Sequence, residues 1–334
     1  MADIRRAVRD CWDALTVEDS LAAGDLVLVA CSGGADSVAL ADAVAFEGPR
    51  AGYRLGAIVV DHGLQDGSAR VAEQTGAWLT ARGFAQVIVK RVEVGRAGGT
   101  EAAARDARYA ALSAIALEVS ARAIMLAHTL NDQAETVLLG LARGSGPRSI
   151  AGMRSVTPAE GFDYLRPLLQ ITREQTEAAC AGAELVVWND PMNDDPDFAR
   201  VRARKSVLPV LESELGPGVA AALGRTADMA REDADFLDAL CADIFKGIAK
   251  VGATSVELPV EFLVEQPPAI RNRLIAQAIS IFGTPMTRVH VLSIAELVTD
   301  WHGQKELTLP GIRVGRTGGA IHLKSSKTLT PGAC

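Results

Sequence analysis

The sequence predicts an α/β protein: a doubly wound, parallel five-stranded sheet followed by a smaller, mainly helical C-terminal domain. Three observations carry this. Short β-favouring apolar runs alternate with helical segments four times in the first ~145 residues, the pattern of a parallel sheet covered by helices on both faces. The first of these runs ends in Ser32-Gly33-Gly34-Ala35-Asp36-Ser37, a strand–turn–helix junction. The texture then changes at Gly216-Pro217-Gly218, so residues 1–215 and 216–334 read as two domains.

Taken in order, Ile4, Val8, Cys11, Trp12 and Leu15 recur at helical spacing with charges between them. Residues 1–16 are therefore expected to form an amphipathic helix rather than a signal peptide. Leu26 to Cys31 is too short for a helix and reads as a buried parallel strand. Gly33 and Gly34 allow close backbone approach, and the helix opening at Asp36 and Ser37 adds unsatisfied N–H groups and a favourable dipole. Together these make an anion site. The alternative is a polar-capped turn with no ligand. No lysine follows the glycines, so this is not the P-loop of the Walker type.

Leu55 to Val60 is a second strand ending in Asp61-His62-Gly63, followed by a helix over roughly 66–82. Gln86 to Val94 is a third strand, and the alanine-rich stretch 100–119 a long helix. Arg122 to Ala127 is a fourth strand running into a helix from His128 to Arg143. Residues 172–181 are helical, and Glu184 to Trp188 is the expected fifth strand. In such sheets ligands sit at the carboxyl ends of the strands, where strand order reverses. With the first strand central and the fourth beside it, the Ser32 loop and the His128 turn face one crevice.

That turn reads His128-Thr129-Leu130-Asn131-Asp132-Gln133-Ala134-Glu135-Thr136, and on a helix His128, Asp132 and Glu135 share a face. Two carboxylates beside a phosphate site call for a cation between them, a metal ion or an ammonium group. Otherwise the segment is a capped, solvated helix start. Glu101, Arg105, Arg108 and Tyr109 also share one helix face, as a surface ion pair or as an arginine aimed at a phosphate. Arg200, Arg202, Arg204 and Lys205 place four cations within six residues, either a solvated face or contacts to a nucleic-acid backbone.

In the second domain, 219–248 reads as a long helix with Met229, Phe236, Leu237 and Leu240 toward the core. Helices follow over 267–282 and 289–298, with short strands near 306–309, 312–314 and 320–323.

Composition narrows the class. The 334 residues carry a net charge of −7, so no global basic footprint marks a nucleic-acid binder. Five scattered cysteines, none spaced C-x-x-C, argue for a reducing compartment and against a zinc or iron–sulfur framework. No apolar run approaches the ~20 residues that span a bilayer. A cytoplasmic protein is expected.

The Ser-Gly-Gly-x-Asp-Ser loop resembles that of the N-type ATP-pyrophosphatases, whose fold is adenine-nucleotide α-hydrolase-like. The ordered series is more specific. The loop, Asp61-His62-Gly63-Leu64, Glu101 to Tyr109, His128 to Thr136, Arg143-Gly144-Ser145-Gly146, Arg166-Pro167-Leu168-Leu169 and Trp188-x-Asp190-x-x-Asn193 together resemble the tRNA(Ile)-lysidine synthases over about 25–211. Two positions depart: Asn131 replaces the first aspartate of an Asp-Asp pair, and Val201 replaces an asparagine.

The resemblance implies an ATP- and Mg²⁺-dependent ligase that joins free L-lysine to C2 of the wobble cytidine of a tRNA(Ile) with a CAU anticodon. An adenylated base would be the intermediate, and AMP and pyrophosphate the by-products. It implies that Ser32, Gly33, Gly34, Ala35, Asp36, Ser37 and His62 hold ATP, with Asp36 on the metal. Asp36, Arg108 and His128 would be catalytic, with the last two at the reacting phosphate. Asp132 and Glu135 would take the lysine ammonium, and Arg200, Arg204 and Lys205 the RNA. A homodimer is left open. The rival readings are a tRNA thiolation enzyme, a small-molecule amide ligase of the same superfamily, and a non-enzymatic ATP-binding module.

Overall fold

The computed structural model describes residues 1–17, 21–63, 65, 67–93, 95, 100–144, 146–283 and 287–325. Leu64, Ser145 and the side chains of Glu101 and Asn193 lie outside the described set. The chain separates into two compact units, Met1–Asp228 and Met229–Cys334. The division falls within one long helix, past the Gly-Pro-Gly break that marks it in the sequence.

The first unit opens with helix α1 (Ala2–Val17), then β1 (Leu26–Ala30), α2 (Ala35–Glu47), β2 (Arg54–Asp61), α3 (Ser68–Ala81) and β3 (Gln86–Arg91). Next come α4 (Thr100–Glu118), β4 (Ala123–Met125), α5 (Leu130–Arg143), the short α6 (Pro147–Ile150), the hairpin β5 (Val156–Ala159) and β6 (Phe162–Leu165), and α7 (Arg173–Gly182). The sheet order is β3-β2-β1-β4-β6-β5. The first five of these strands are parallel, and β5 runs antiparallel at the edge.

The fifth parallel strand is thus Phe162–Leu165, not residues 184–188, which form no strand. Glu184 adopts a positive φ of 51°, and Trp188 N–H donates to Gly33 O at 2.9 Å, so the segment crosses over the glycine turn. Leu185 and Val187 pack on the core, Trp188 sits on the loop, and Val186 is exposed, so no ladder forms.

β1 is buried along its whole length because it faces a core on each side. Val27 and Val29 join α1, α2 and α7 residues in one cluster, while Leu28 and Ala30 join Leu112, Ile115 and Ile124 in the other. The two-residue period of a strand produces this division. Reversal of strand order between β2-β1 and β1-β4 opens a crevice at the carboxyl end of β1.

Beyond α7, α8 (Ala199–Arg202) runs through one π-type turn (Ala203–Val207) into α9 (Leu208–Leu215). Pro209 has no N–H to return to the preceding turn, and its ring crowds that turn's carbonyl, which accounts for the widening there. Helix α10 (Val219–Ile248) follows.

The second unit adds α11 (Val260–Glu265), α12 (Pro268–Ser280) and α13 (Arg288–Thr299). These accompany a five-stranded sheet of order β7-β8-β11-β10-β9. Its strands are β7 (Lys250–Val251), β8 (Ser255–Pro259), β9 (Leu307–Leu309), β10 (Ile312–Thr317) and β11 (Ala320–Lys324), all antiparallel to their neighbours. Its core takes Cys241 and Phe245 from α10. Met229, Phe236 and Leu240 are instead exposed, because the buried stripe runs through Ala234, Cys241 and Phe245 on a different face. No described helix is long and apolar enough to cross a membrane.

Candidate active site

The crevice at the end of β1 holds a cleft with two arms. One, of about 200 Å³, is walled by Ile58, Val60, His62, Val71, Ala104 and Met192. The other, of about 700 Å³, is polar and brings Gly34, Asp36, His128, Asp132, Arg173, Arg204 and Lys205 together. Ala30, Ser32, Arg108, Trp188 and Asp190 line both. The glycine loop and the His128 turn therefore do share one cavity.

Each glycine of the loop has its own physical reason. Gly33 sits at φ 86°, and a Cβ there would lie 2.9 Å from Thr75 Oγ1, so both backbone and space exclude a side chain. Gly34 has an ordinary backbone as the residue preceding α2, and a Cβ would make only normal contacts. What its missing side chain leaves is open space in the cradle. Ser37 Oγ is spent inside the turn: it donates to Gly34 O at 2.9 Å and accepts from Ser32 N at 3.1 Å. Ser32 remains exposed toward the cleft.

Asp36 stands in the first turn of α2, where Thr176 Oγ1 donates to one carboxylate oxygen and Arg173 Nε approaches the other at 3.5 Å. Burial still pushes its pKa up, against both partners.

On the facing wall Thr129 caps α5, and Asp132 closes a reciprocal capping box. Asp132 Oδ2 accepts from Thr129 N at 2.8 Å and Thr129 Oγ1 at 2.9 Å, and Oδ1 from Arg173 Nη2 at 3.2 Å. Burial opposes ionisation, but Arg173 and the Thr129 hydrogen bonds together lower its pKa. Glu135, one turn on, is fully enclosed. Arg204 Nε reaches it at 2.7 Å and Arg173 Nη1 at 3.7 Å, so the carboxylate is occupied in this conformation.

Arg108 lines both arms, and His128 lines the polar one. His128 is held neutral by burial, reinforced by Arg166 and Arg108 against the opposing pull of Asp132, and its Nδ1 is buried without a partner among the described residues. His62 is likewise lowered, by burial and then by Arg108, with its own Nδ1 unpartnered among those residues. Burial also lowers Arg108.

Comparisons with known proteins decide the family. The PP-loop domain family matches residues 12–211, and the TilS substrate binding domain family matches 258–322. The chain is 54% identical over 303 residues to the tRNA(Ile)-lysidine synthase of Leifsonia xyli subsp. xyli, covering 90% of each chain. It is 49% identical over 297 residues to that of Streptomyces coelicolor, covering 88% of this chain and 83% of the relative.

The chain belongs to the tRNA(Ile)-lysidine synthase family.

Among solved structures, the U34-tRNA thiolase NcsA from Methanococcus maripaludis superposes with a TM-score of 0.57 at 18% identity. That match covers 69% of this chain and 79% of that one, a likeness of fold alone.

Both departures from the family pattern have structural explanations. Asn131 does not face the cleft: its Oδ1 accepts from Arg173 N–H at 2.9 Å, in the first turn of α7. The acceptor matters there, not the charge. Val201 is buried, where an apolar side chain is at home.

Of the cationic run, Arg204 turns into the cleft to Glu135, and Lys205 lines the same cavity while pairing with Asp194. Arg200 does not line it. Sequence reasoning missed Arg173, which touches three carboxylates. A cation in the first turn of a helix, against the dipole, was its one available signal.

Proposed function

We propose that this chain is an ATP-dependent ligase that joins free L-lysine to C2 of the wobble cytidine of tRNA(Ile) bearing a CAU anticodon. An adenylated base is the intermediate, and AMP and pyrophosphate are released. What supports this reading is one juxtaposition: a glycine cradle and a carboxylate wall in a single cleft that Arg108 and His128 also line.

The apolar arm beside His62 takes the adenine, and the triphosphate lies along Ser32 to Ser37 over the N-terminus of α2. Asp36 suits a Mg²⁺ ion. Magnesium needs only one or two carboxylates and completes its shell with phosphate and water oxygens, and burial leaves this carboxylate in need of a cation. No described group of three or more His, Cys, Asp or Glu side chains forms a metal cage, so the nucleotide would supply the remaining ligands. Bound there, the ion offsets charge on the departing pyrophosphate.

The cytidine C2 oxygen attacks the α-phosphate. Arg108 and the neutral His128 donate hydrogen bonds to the phosphoryl oxygens as charge builds on them. The lysine ammonium is oriented on the Asp132 wall with Glu135 behind it; after it loses a proton to water, the amine attacks C2, and the new C–N bond replaces the C2–O bond as AMP leaves. The second unit and the Arg200–Lys205 segment hold the RNA, and the lysine-bearing product is released.

Incubating the chain with ATP, Mg²⁺, labelled lysine and a CAU-anticodon tRNA transcript tests the reading. Lysine-dependent labelling of the RNA with AMP release is expected, and Asp36→Ala abolishes it. ATP binding without turnover on that RNA would instead favour a non-enzymatic module.

A further inference from the structure

Arg173 is the one guanidinium among the described residues that touches both walls of the cleft. Its Nε is 3.5 Å from Asp36, its Nη2 3.2 Å from Asp132 and its Nη1 3.7 Å from Glu135. Its backbone is fixed: the N–H is held by Asn131, Thr172 caps the helix, and Thr176 ties the next turn to Asp36. Any movement is thereby confined to the side chain. Its tip covers the Asp132 oxygen that no Thr129 hydrogen bond occupies.

We propose that Arg173 is a positioning residue shared by the phosphate and lysine subsites. Its guanidinium rests on the carboxylates that take lysine; bound polyphosphate draws it away and opens Asp132 to the ammonium.

Charge supports this exchange. The three carboxylates Asp36, Asp132 and Glu135 face two guanidiniums, Arg173 and Arg204, leaving one negative charge. Drawing Arg173 onto phosphate leaves two, and an ammonium on Asp132 takes its place in the balance; with the guanidinium still on Asp132, two cations would compete for one oxygen. Arg173 lines the same cavity as Ser32, Gly34 and Asp36, where the phosphates lie. A planar guanidinium pairs with phosphate in two parallel hydrogen bonds, a stronger partner than the single contact it makes to each carboxylate here. Arg204 stays behind, since it holds both Glu135 oxygens, through Nε at 2.7 Å and Nη2 at 3.4 Å. Nucleotide and lysine should therefore strengthen each other's binding, and the linkage is reciprocal.

The inference rests on the proposed lysine wall at Asp132, and calorimetry on the full chain separates the two. Lysine is titrated with and without Mg²⁺ and α,β-methylene ATP, which cannot be cleaved at the α-phosphate. In the wild type the analogue should tighten lysine binding roughly tenfold, within the usual range of coupling between sites. Arg173→Gln should bring that ratio to within about twofold of unity, and Arg173→Lys should restore part of it. Should Arg173→Gln fail to fold, Arg173→Met keeps the stem, drops the charge and serves the same comparison. A wild-type lysine affinity indifferent to the analogue, or full coupling in the neutral variant, overturns the inference. Undiminished lysine binding by Asp132→Asn would instead overturn the lysine wall, and this inference with it.

Discussion

Arg204 Nε donates to Glu135 Oε1 at 2.7 Å, and the Glu135 side chain has no exposed surface. Removing the carboxylate leaves a guanidinium without its partner in a largely dry wall. Glu135→Ala should therefore cost about 2–3 kcal/mol, somewhat less than a fully buried pair because Arg204 keeps 26% of its side chain in contact with solvent. Denaturant unfolding measures the loss. In turnover the same variant should raise the KM for lysine more than that for ATP. An unchanged lysine dependence would remove Glu135 from the lysine subsite.

The two loop glycines should fail differently. Gly33→Ala forces a side chain into φ 86° and against Thr75 Oγ1 at 2.9 Å, so it should destabilise the fold by about 1–3 kcal/mol and disorder the turn. Gly34→Ala meets nothing closer than 3.7 Å, so its melting temperature should stay near wild type. Its methyl fills the cradle instead, and ATP affinity should fall about tenfold or more by calorimetry. Equal melting temperatures for the two variants would contradict this division.

The histidines give the stability a pH dependence of definite sign. His128 and His62 are both held below the ordinary value of 6.5, chiefly by burial. An unfolded chain takes up protons there that the folded chain refuses, so stability is full above that value and falls as pH drops below it. Urea unfolding between pH 7.5 and 5 should show the decline, and the His62→Gln/His128→Gln double variant should flatten it. Bound polyphosphate should raise the His128 pKa, visible as a shift in its ring NMR titration.

Asn131 accepts the Arg173 N–H at 2.9 Å, so its acceptor atom is what counts. Asn131→Asp keeps the acceptor and adds an anion at a helix N-terminus, and should be neutral or stabilising by up to about 1 kcal/mol. Asn131→Ala removes it and should cost about 1 kcal/mol. Thermal melting of the three proteins side by side checks the order. A less stable aspartate variant would mean that its charge does reach the cleft.

Much of this protein was readable from local sequence. The strand–turn–helix at Ser32 to Ser37 and the capped turn at His128 to Glu135 depend on contacts within a few residues, as propensity and spacing do. Alternation of strands and helices dictated a parallel sheet, and the sheet placed both turns at one end. Other features were not local. Residues 184–188 have the composition of a strand but lie across the glycine turn, while the hairpin at Val156 to Leu165 supplies the sheet with its fifth parallel strand and its antiparallel edge. Helix α10 carries two apolar stripes, and only packing selected the one through Cys241 and Phe245.

The charges divide in the same way. That Asp132 and Glu135 share a helix face follows from the 3.6-residue period alone. That Arg173 and Arg204, separated from them in sequence by 41 and 69 residues, close over them does not. Ion pairing depends on distance through space, and spacing along the chain carries no information about distances between segments until the fold brings them together.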